Sequence, residues 1–254
     1  MLAIVGIKII QQKGISLVEL MISLFLSSLL MSALMQHYLC LKKQYNHAQQ
    51  ALEQRLELQL VSELIRDSAR AAGFAPCLGI TRLITKDRRD DLSPLAAITV
   101  KDKPESLKLA RMDDNFLVLL KQISPTRLLL DGKREFDARY PVVIADCFHA
   151  EVHLISHSEK TSLGVLVTLK KPLSYDYTAP VYLGEWLEER FLIEKNNQGE
   201  PALFYDTSQR EELTTHINYL SARLAQHKGR SFLSVTLGVV NDDPIVLETN
   251  VRTK

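Results

Sequence analysis

Glu19 is the only charged side chain in residues 15–35, which read ISLVELMISLFLSSLLMSALM. An acidic group inside a membrane-spanning helix costs at least about 2.5–3.5 kcal/mol, so a carboxylate here calls for a partner. A second constellation is His149, Glu151, His153 and His157, which alternate with Ala150, Val152, Leu154 and Ser156. A strand would set three histidines and a carboxylate on one face, the donor set of zinc, copper or nickel. Same-face neighbours on a strand lie about 6.6–7 Å apart, so only adjacent pairs could reach one ion, and a solvated strand face is the better reading. Glu185, Glu188 and Glu189 surround the single tryptophan, Trp186. They could suggest a glycosidase-like carboxylate pair, but nothing accompanies them, and a solvated charge run is preferred. Asn241, Asp242 and Asp243 before Pro244 lack the ligand spacing of a calcium loop and read as a turn. No nucleophile elbow, zinc-protease, phosphate-loop or dinucleotide fingerprint occurs, so we expect no enzyme, no cofactor and no metal site.

The elements that carry these groups follow from composition and punctuation. The 254 residues are 46% hydrophobic and 24% charged, with ten glycines and nine prolines, as in an ordered protein. A formal net charge of +1 argues against the chain as a whole acting as an electrostatic binder of nucleic acid. Cys40, Cys77 and Cys147 form no C-x-x-C pair, which disfavours a zinc ribbon or thioredoxin-type site and leaves at most one internal disulfide. Residues 15–35 are long enough to cross a bilayer, since roughly 20 apolar residues rising about 1.5 Å each span a hydrocarbon core of about 30 Å. No small-residue cleavage site follows Met35, so a single anchor is favoured over a secretory signal. Lys8 and Lys13 before the span are balanced by Lys42 and Lys43 after it, and charge counting gives no orientation.

No glycine or proline occurs from residue 15 to residue 72, whereas Gly73 and Pro76 arrive together with Cys77. One helix can therefore run through both the span and its continuation. In the continuation, Leu41, Tyr45, Ala48, Leu52, Leu56, Leu60 and Leu64 recur at three- and four-residue steps. They form an apolar stripe expected to pack on the chain's own globular domain rather than in a free coiled coil. After Gly73 the period changes to two. Residues 116–120, 127–130, 142–145, 163–169 and 233–239 read as strands, with turns at Ser124-Pro125 and Asp131-Gly132. Residues 190–193 and 202–205 flank Asn196-Asn197-Gln198-Gly199 as a hairpin. Loops are expected at 86–93, 101–105 and 241–244. The expected fold class is α+β: a long N-terminal helix, membrane anchor plus amphipathic half, packed on a mostly antiparallel β-sheet domain.

At the membrane boundary the chain reads Lys13-Gly14-Ile15-Ser16-Leu17-Val18-Glu19, a basic residue and a glycine before an apolar helix with glutamate at its fifth position. This resembles the processing site of type IV prepilins. The resemblance implies cleavage between Gly14 and Ile15 by a prepilin peptidase, methylation of the new amine, and an assembly role for Glu19. The amine of Ile15 on a neighbouring subunit would then neutralise Glu19 in lipid and set the register of one helix on another. Departures are Ile15 in place of the usual phenylalanine, a mostly apolar stretch at residues 1–10 where family leaders are short and basic, and neither glycine nor proline at Ser28 and Gln36. The last of these predicts an unbroken helix.

Further residues are similar to PilW-type minor pilins: Arg70-Ala71-Ala72-Gly73-Phe74 shortly before Cys77, the strand at 142–150 bearing Cys147, and the Asn197-Gln198-Gly199-Glu200-Pro201 turn with the 211–220 segment after it. What this implies is a leader at 1–14, a transmembrane and filament-core helix at 15–35, its amphipathic continuation at 36–72 and a periplasmic β-rich domain at 73–254. The chain would cross the inner membrane once and move to the pilus, at its tip, on assembly. Implied partners are other minor pilins and the major pilin through the N-terminal helix, the prepilin peptidase, an inner-membrane assembly platform and a tip adhesin. In an oxidising periplasm Cys77 and Cys147 are expected to pair, while Cys40 stays a buried apolar residue. Two other readings are a J-like minor pseudopilin of type II secretion and a DNA-uptake or adhesion pilin. Arg88, Arg89, Lys170 and Lys171 speak weakly for nucleic-acid binding, since acidic neighbours dilute the first pair.

Overall fold

The computed structural model describes residues 16–89, 93–102, 105–227 and 230–251. The chain divides into two units, Met1–Arg55 and Leu56–Lys254. One α-helix, α1 (Leu17–Ala71), enters both, and it is unbroken, as the lack of glycine and proline predicts.

In the first unit the helix is apolar on every side from Leu17 to Met35, and these large side chains are exposed. Three serines inside the apolar run donate their hydroxyls to carbonyls one turn back: Ser23 to Leu20, Ser27 to Leu24 and Ser28 to Phe25, at 2.8–2.9 Å. Those polar groups are satisfied within the helix and carry little cost into an apolar environment. Cys40 is exposed, contrary to the buried position expected from its residue type, as is every residue of the helix from Leu17 to Glu53.

In the second unit the last turns of α1 bury Leu58, Val61, Ile65 and Ala69. That face differs from the stripe read in the sequence. Leu56 and Leu60 are exposed and Leu64 is half-buried, as Leu41, Tyr45 and Leu52 are exposed further up the helix. The interface residues keep three- and four-residue spacing but lie on a different side of the helix from Leu56 and Leu60. The helix ends at Gly73, whose φ of 74° is the left-handed conformation that glycine adopts freely. Its N–H donates to Ala110 O at 2.8 Å, and Met112 N–H donates to Phe74 O at 3.0 Å, so the helix end is tied to a strand.

Among the described residues fifteen strands follow: β1 (Ile84–Asp87), β2 (Ile98–Asp102), β3 (Glu105–Met112), β4 (Leu117–Ser124), β5 (Arg127–Asp131), β6 (Val142–Ala145), β7 (His149–His153), β8 (Ile155–Thr161), β9 (Gly164–Leu169), β10 (Tyr182–Lys195), β11 (Pro201–Asp206), β12 (Arg210–Thr214), β13 (Ile217–His227), β14 (Arg230–Val239) and β15 (Ile245–Val251). The fold is α+β, a long helix with a mostly antiparallel β domain; among the described residues only β1 and β7 pair in parallel. The long strand β10 is the spine of the larger sheet. Its first residues pair with β4 and β6, and its later ones pair with β3 and β11. From there the order runs β1-β7-β6-β10-β4-β5-β9-β8 on one path, with β2 beside β3 and β12 beside β11. The smaller sheet is β13-β14-β15. On β14 the alternation is as expected, with Leu233, Val235, Leu237 and Val239 buried. They join Ile65, Leu107, Leu109 and Phe191 in the core beneath the helix.

Several expected boundaries move. Leu163 lies exposed in the turn before β9 rather than in the strand, and the buried set there is Val165, Leu166, Val167 and Leu169. The expected loop at 86–93 begins inside β1, and the one at 101–105 is largely taken up by β2 and β3. The hairpin around Asn196 forms, with Lys195 opposite Pro201. The 241–244 segment is a turn, in which Asn241 has a φ of 62°.

Candidate functional site

Glu19 lies in the first turn of α1 and is exposed. Among the described residues its carboxylate has no hydrogen-bond or ion-pair partner. It sits between Val18 and Leu20, both exposed. A carboxylate in the first turn meets the positive end of the helix dipole, which lowers its cost without replacing a counter-ion. The helix is long and apolar enough to cross a membrane: its most apolar 18-residue window has a mean hydropathy of 2.1. Gly14 and Ile15, the expected cleavage and methylation residues, lie outside the described residues, as does the leader at 1–14.

Cys77 and Cys147 form a disulfide with Cα atoms 5.2 Å apart, closing a sequence separation of 70. It links the segment after the helix to the turn between β6 and β7. Next to it, Asp146 accepts backbone N–H bonds from Phe148 (2.7 Å), His149 (2.6 Å) and Thr178 (2.9 Å). Burial alone would raise this carboxyl, but the N–H groups of Thr178, His149 and Phe148 outweigh it and hold the acid below the usual carboxylate range.

The histidines do not share a solvated face, which corrects the expectation. Glu151 and His153 are completely buried, with His153 Nε2 2.7 Å from Glu151 Oε2. The reason is position: β7 is an inner strand between β1 and β6, and the connection after β9 crosses over it, with Ser174 N–H donating to Glu151 at 2.9 Å. His149 is half-buried and stacked on Tyr175, with ring centroids 4.6 Å apart. The strand breaks at Leu154, so His157 belongs to β8, exposed, with Nε2 3.6 Å from Glu159. Among the described residues no three His, Cys, Asp or Glu side chains converge as a metal site.

The glutamates around Trp186 are not simply solvated either. Glu185 pairs with Arg134 at 2.8 Å, and Arg134 also pairs with Asp113 at 2.9 Å. Glu188 accepts from Arg89 (2.8 Å), Lys108 (3.0 Å) and the Trp186 indole N–H (3.0 Å). Burial pushes the Glu188 carboxyl up, yet hydrogen bonds from Arg89 and Lys108 and their charges bring it down to about 2. Glu189 lies 3.7 Å from Arg111 on the opposite face of β10. A carboxylate held by three donors is a structural anion, not a general acid. The sequence showed the acids but not their bases, which come from strands and turns up to 99 positions away.

In comparison with known families, residues 10–35 fit the model described as the prokaryotic N-terminal methylation motif. No curated protein and no solved structure matches the chain. The matched residues hold Lys13, Gly14, Ile15 and Glu19 together with the whole apolar run at the start of α1. They support a type IV pilin-like protein that is processed by a prepilin peptidase and anchored in the inner membrane by that helix.

Proposed function

We propose that the chain is a minor pilin of the PilW type, a structural subunit without chemistry of its own that helps prime pilus assembly and joins the complex at the filament tip. The observation that carries this reading is the lone acid Glu19, without a partner among the described residues, on an unbroken apolar helix within the methylation motif. Cleavage after Gly14 exposes an amine at Ile15. When a second subunit docks alongside, that amine supplies the positive charge Glu19 lacks, and the pair holds only at one axial register. The β domain then stays on the periplasmic side, where Cys77 and Cys147 oxidise, until the filament carries it outward. Sister pilins cover the exposed leucines of α1 in the bundle.

The test is Glu19→Ala in the producing bacterium. Membrane fractionation should find the variant inserted as before, while sheared pili should lack it. Normal incorporation into pili would overturn the register-setting role.

A further inference from the structure

On the face of the sheet turned away from α1, four strands place Thr99 (β2), Lys108 (β3), Arg190 (β10) and Asp206 (β11) in one cross-strand row. Paired residues of adjacent strands point to the same side, and residues two apart along a strand share that side. Lys101, Ser106 and Glu188 therefore join the same face, and together these residues line a pocket of about 310 Å³. That is the low end of the range for small-ligand sites and matches a single ring with substituents.

The polar groups of this pocket divide into two sets. Lys108 and Glu188 satisfy each other at 3.0 Å, and Glu188 has two further donors. The other side chains meet no protein partner among the described residues and are open to the pocket. Among the described residues, neither Arg190 nor Lys101 has an ion-pair partner and the Asp206 carboxylate accepts no hydrogen bond, although Arg190 and Asp206 are direct cross-strand neighbours. Ser106 is only 3% exposed, and its hydroxyl has no partner among the described residues.

These groups specify a ligand. Two cations without acceptors call for an acid. A carboxylate without donors calls for hydroxyl or amine protons, and hydroxyls that can both give and accept suit a polyol. Two carboxylates in the same pocket disfavour a dianionic phosphate. We propose that the pocket binds an acidic sugar residue, with its carboxylate on Arg190 and Lys101 and its ring hydroxyls on Asp206, Ser106 and Thr207. A neighbouring groove of about 600 Å³ shares Glu188 and Thr207 with the pocket and is walled by Tyr140 and Pro141, so the next residue of an acidic oligosaccharide has a place to lie. The site is independent of the helix and of the assembly role proposed above.

The experiment is a calorimetric titration of the full-length protein in amine-oxide micelles, which carry no sugar. The probes are a galacturonate trisaccharide, the neutral galactose trisaccharide, inorganic phosphate and diglycine. The proposal expects saturable binding of the galacturonate trisaccharide alone. Arg190→Gln and Lys101→Gln should each weaken it about ten-fold or more, since each removes a charge-assisted hydrogen bond. Lys160→Gln, on the distant strand β8, should leave it unchanged. Lys101 is exposed, so its variant folds and isolates recognition from stability. No saturable binding, equal binding of the neutral sugar, phosphate or diglycine, or unchanged affinity in both pocket variants would overturn the proposal.

Discussion

Ile65→Ala and Leu60→Ala remove similar side chains from the same helix, and the structure assigns them very different consequences. Ile65 is 1% exposed, held in the core that also contains Leu107, Leu109, Phe191 and Leu237. Truncating a fully buried isoleucine costs about 2–5 kcal/mol. The upper half of that range is expected here, because a helix packed on a sheet cannot collapse into the gap one side chain leaves. Leu60 is 71% exposed, so less than a third of its burial is at stake, about 0.7 kcal/mol or less. Urea unfolding of the full-length protein can be followed through Trp186, the single tryptophan, which is buried. With a slope of about 2 kcal/mol per molar urea, Ile65→Ala should lower the midpoint by about 2 M and Leu60→Ala by at most about 0.4 M. The reverse ranking, or equal effects, would refute the assignment of the packed face and restore the leucine stripe as the docking surface.

Two further outcomes follow from the β domain. Replacing Cys77 and Cys147 together by alanine frees a loop spanning a sequence separation of 70, which chain entropy values at about 4 kcal/mol; a drop in melting temperature of only a degree or two would contradict the bridge. Glu188 has its acid dissociation lowered from 4.5 to about 2 in the folded state, so its contribution is complete above pH 4.5 and is lost as pH falls toward 2. Stability measured against pH should fall less steeply over this window in Glu188→Gln; identical slopes would show that the three-donor cluster does not form.

How much was legible in advance differed by element. Absence of glycine and proline up to Ala72 predicted an unbroken α1, and period-two alternation located the buried face of β14, because both signals are local. The docking face of α1 was not legible. The exposed leucines dominate the apolar pattern, whereas the sheet packs against Leu58, Val61, Ile65 and Ala69, a set that only the tertiary placement of the helix picks out. Glu151 and His153 look polar in any window of sequence, and only the placement of β7 inside the sheet, beneath Ser174, shows that they are buried. The same holds for the bases that neutralise Glu185 and Glu188. Their partners Arg134, Arg89 and Lys108 are brought to β10 by strand order, which no short-range pattern encodes. Cys40 was misplaced because a cysteine's usual burial presupposes a covering surface, and the described chain supplies none to that part of the helix.

The central claim is that Gly14 and Ile15 form a processing site and that the helix carrying Glu19 survives as the mature N-terminus. Terminal sequencing and intact mass of the protein isolated from membranes test it most directly. The account predicts a chain that begins at Ile15 and is one methyl group heavier than the bare sequence from that residue. A chain that still begins at Met1 in cells with active prepilin peptidase, or one cut beyond Met35 with the helix removed, would contradict it.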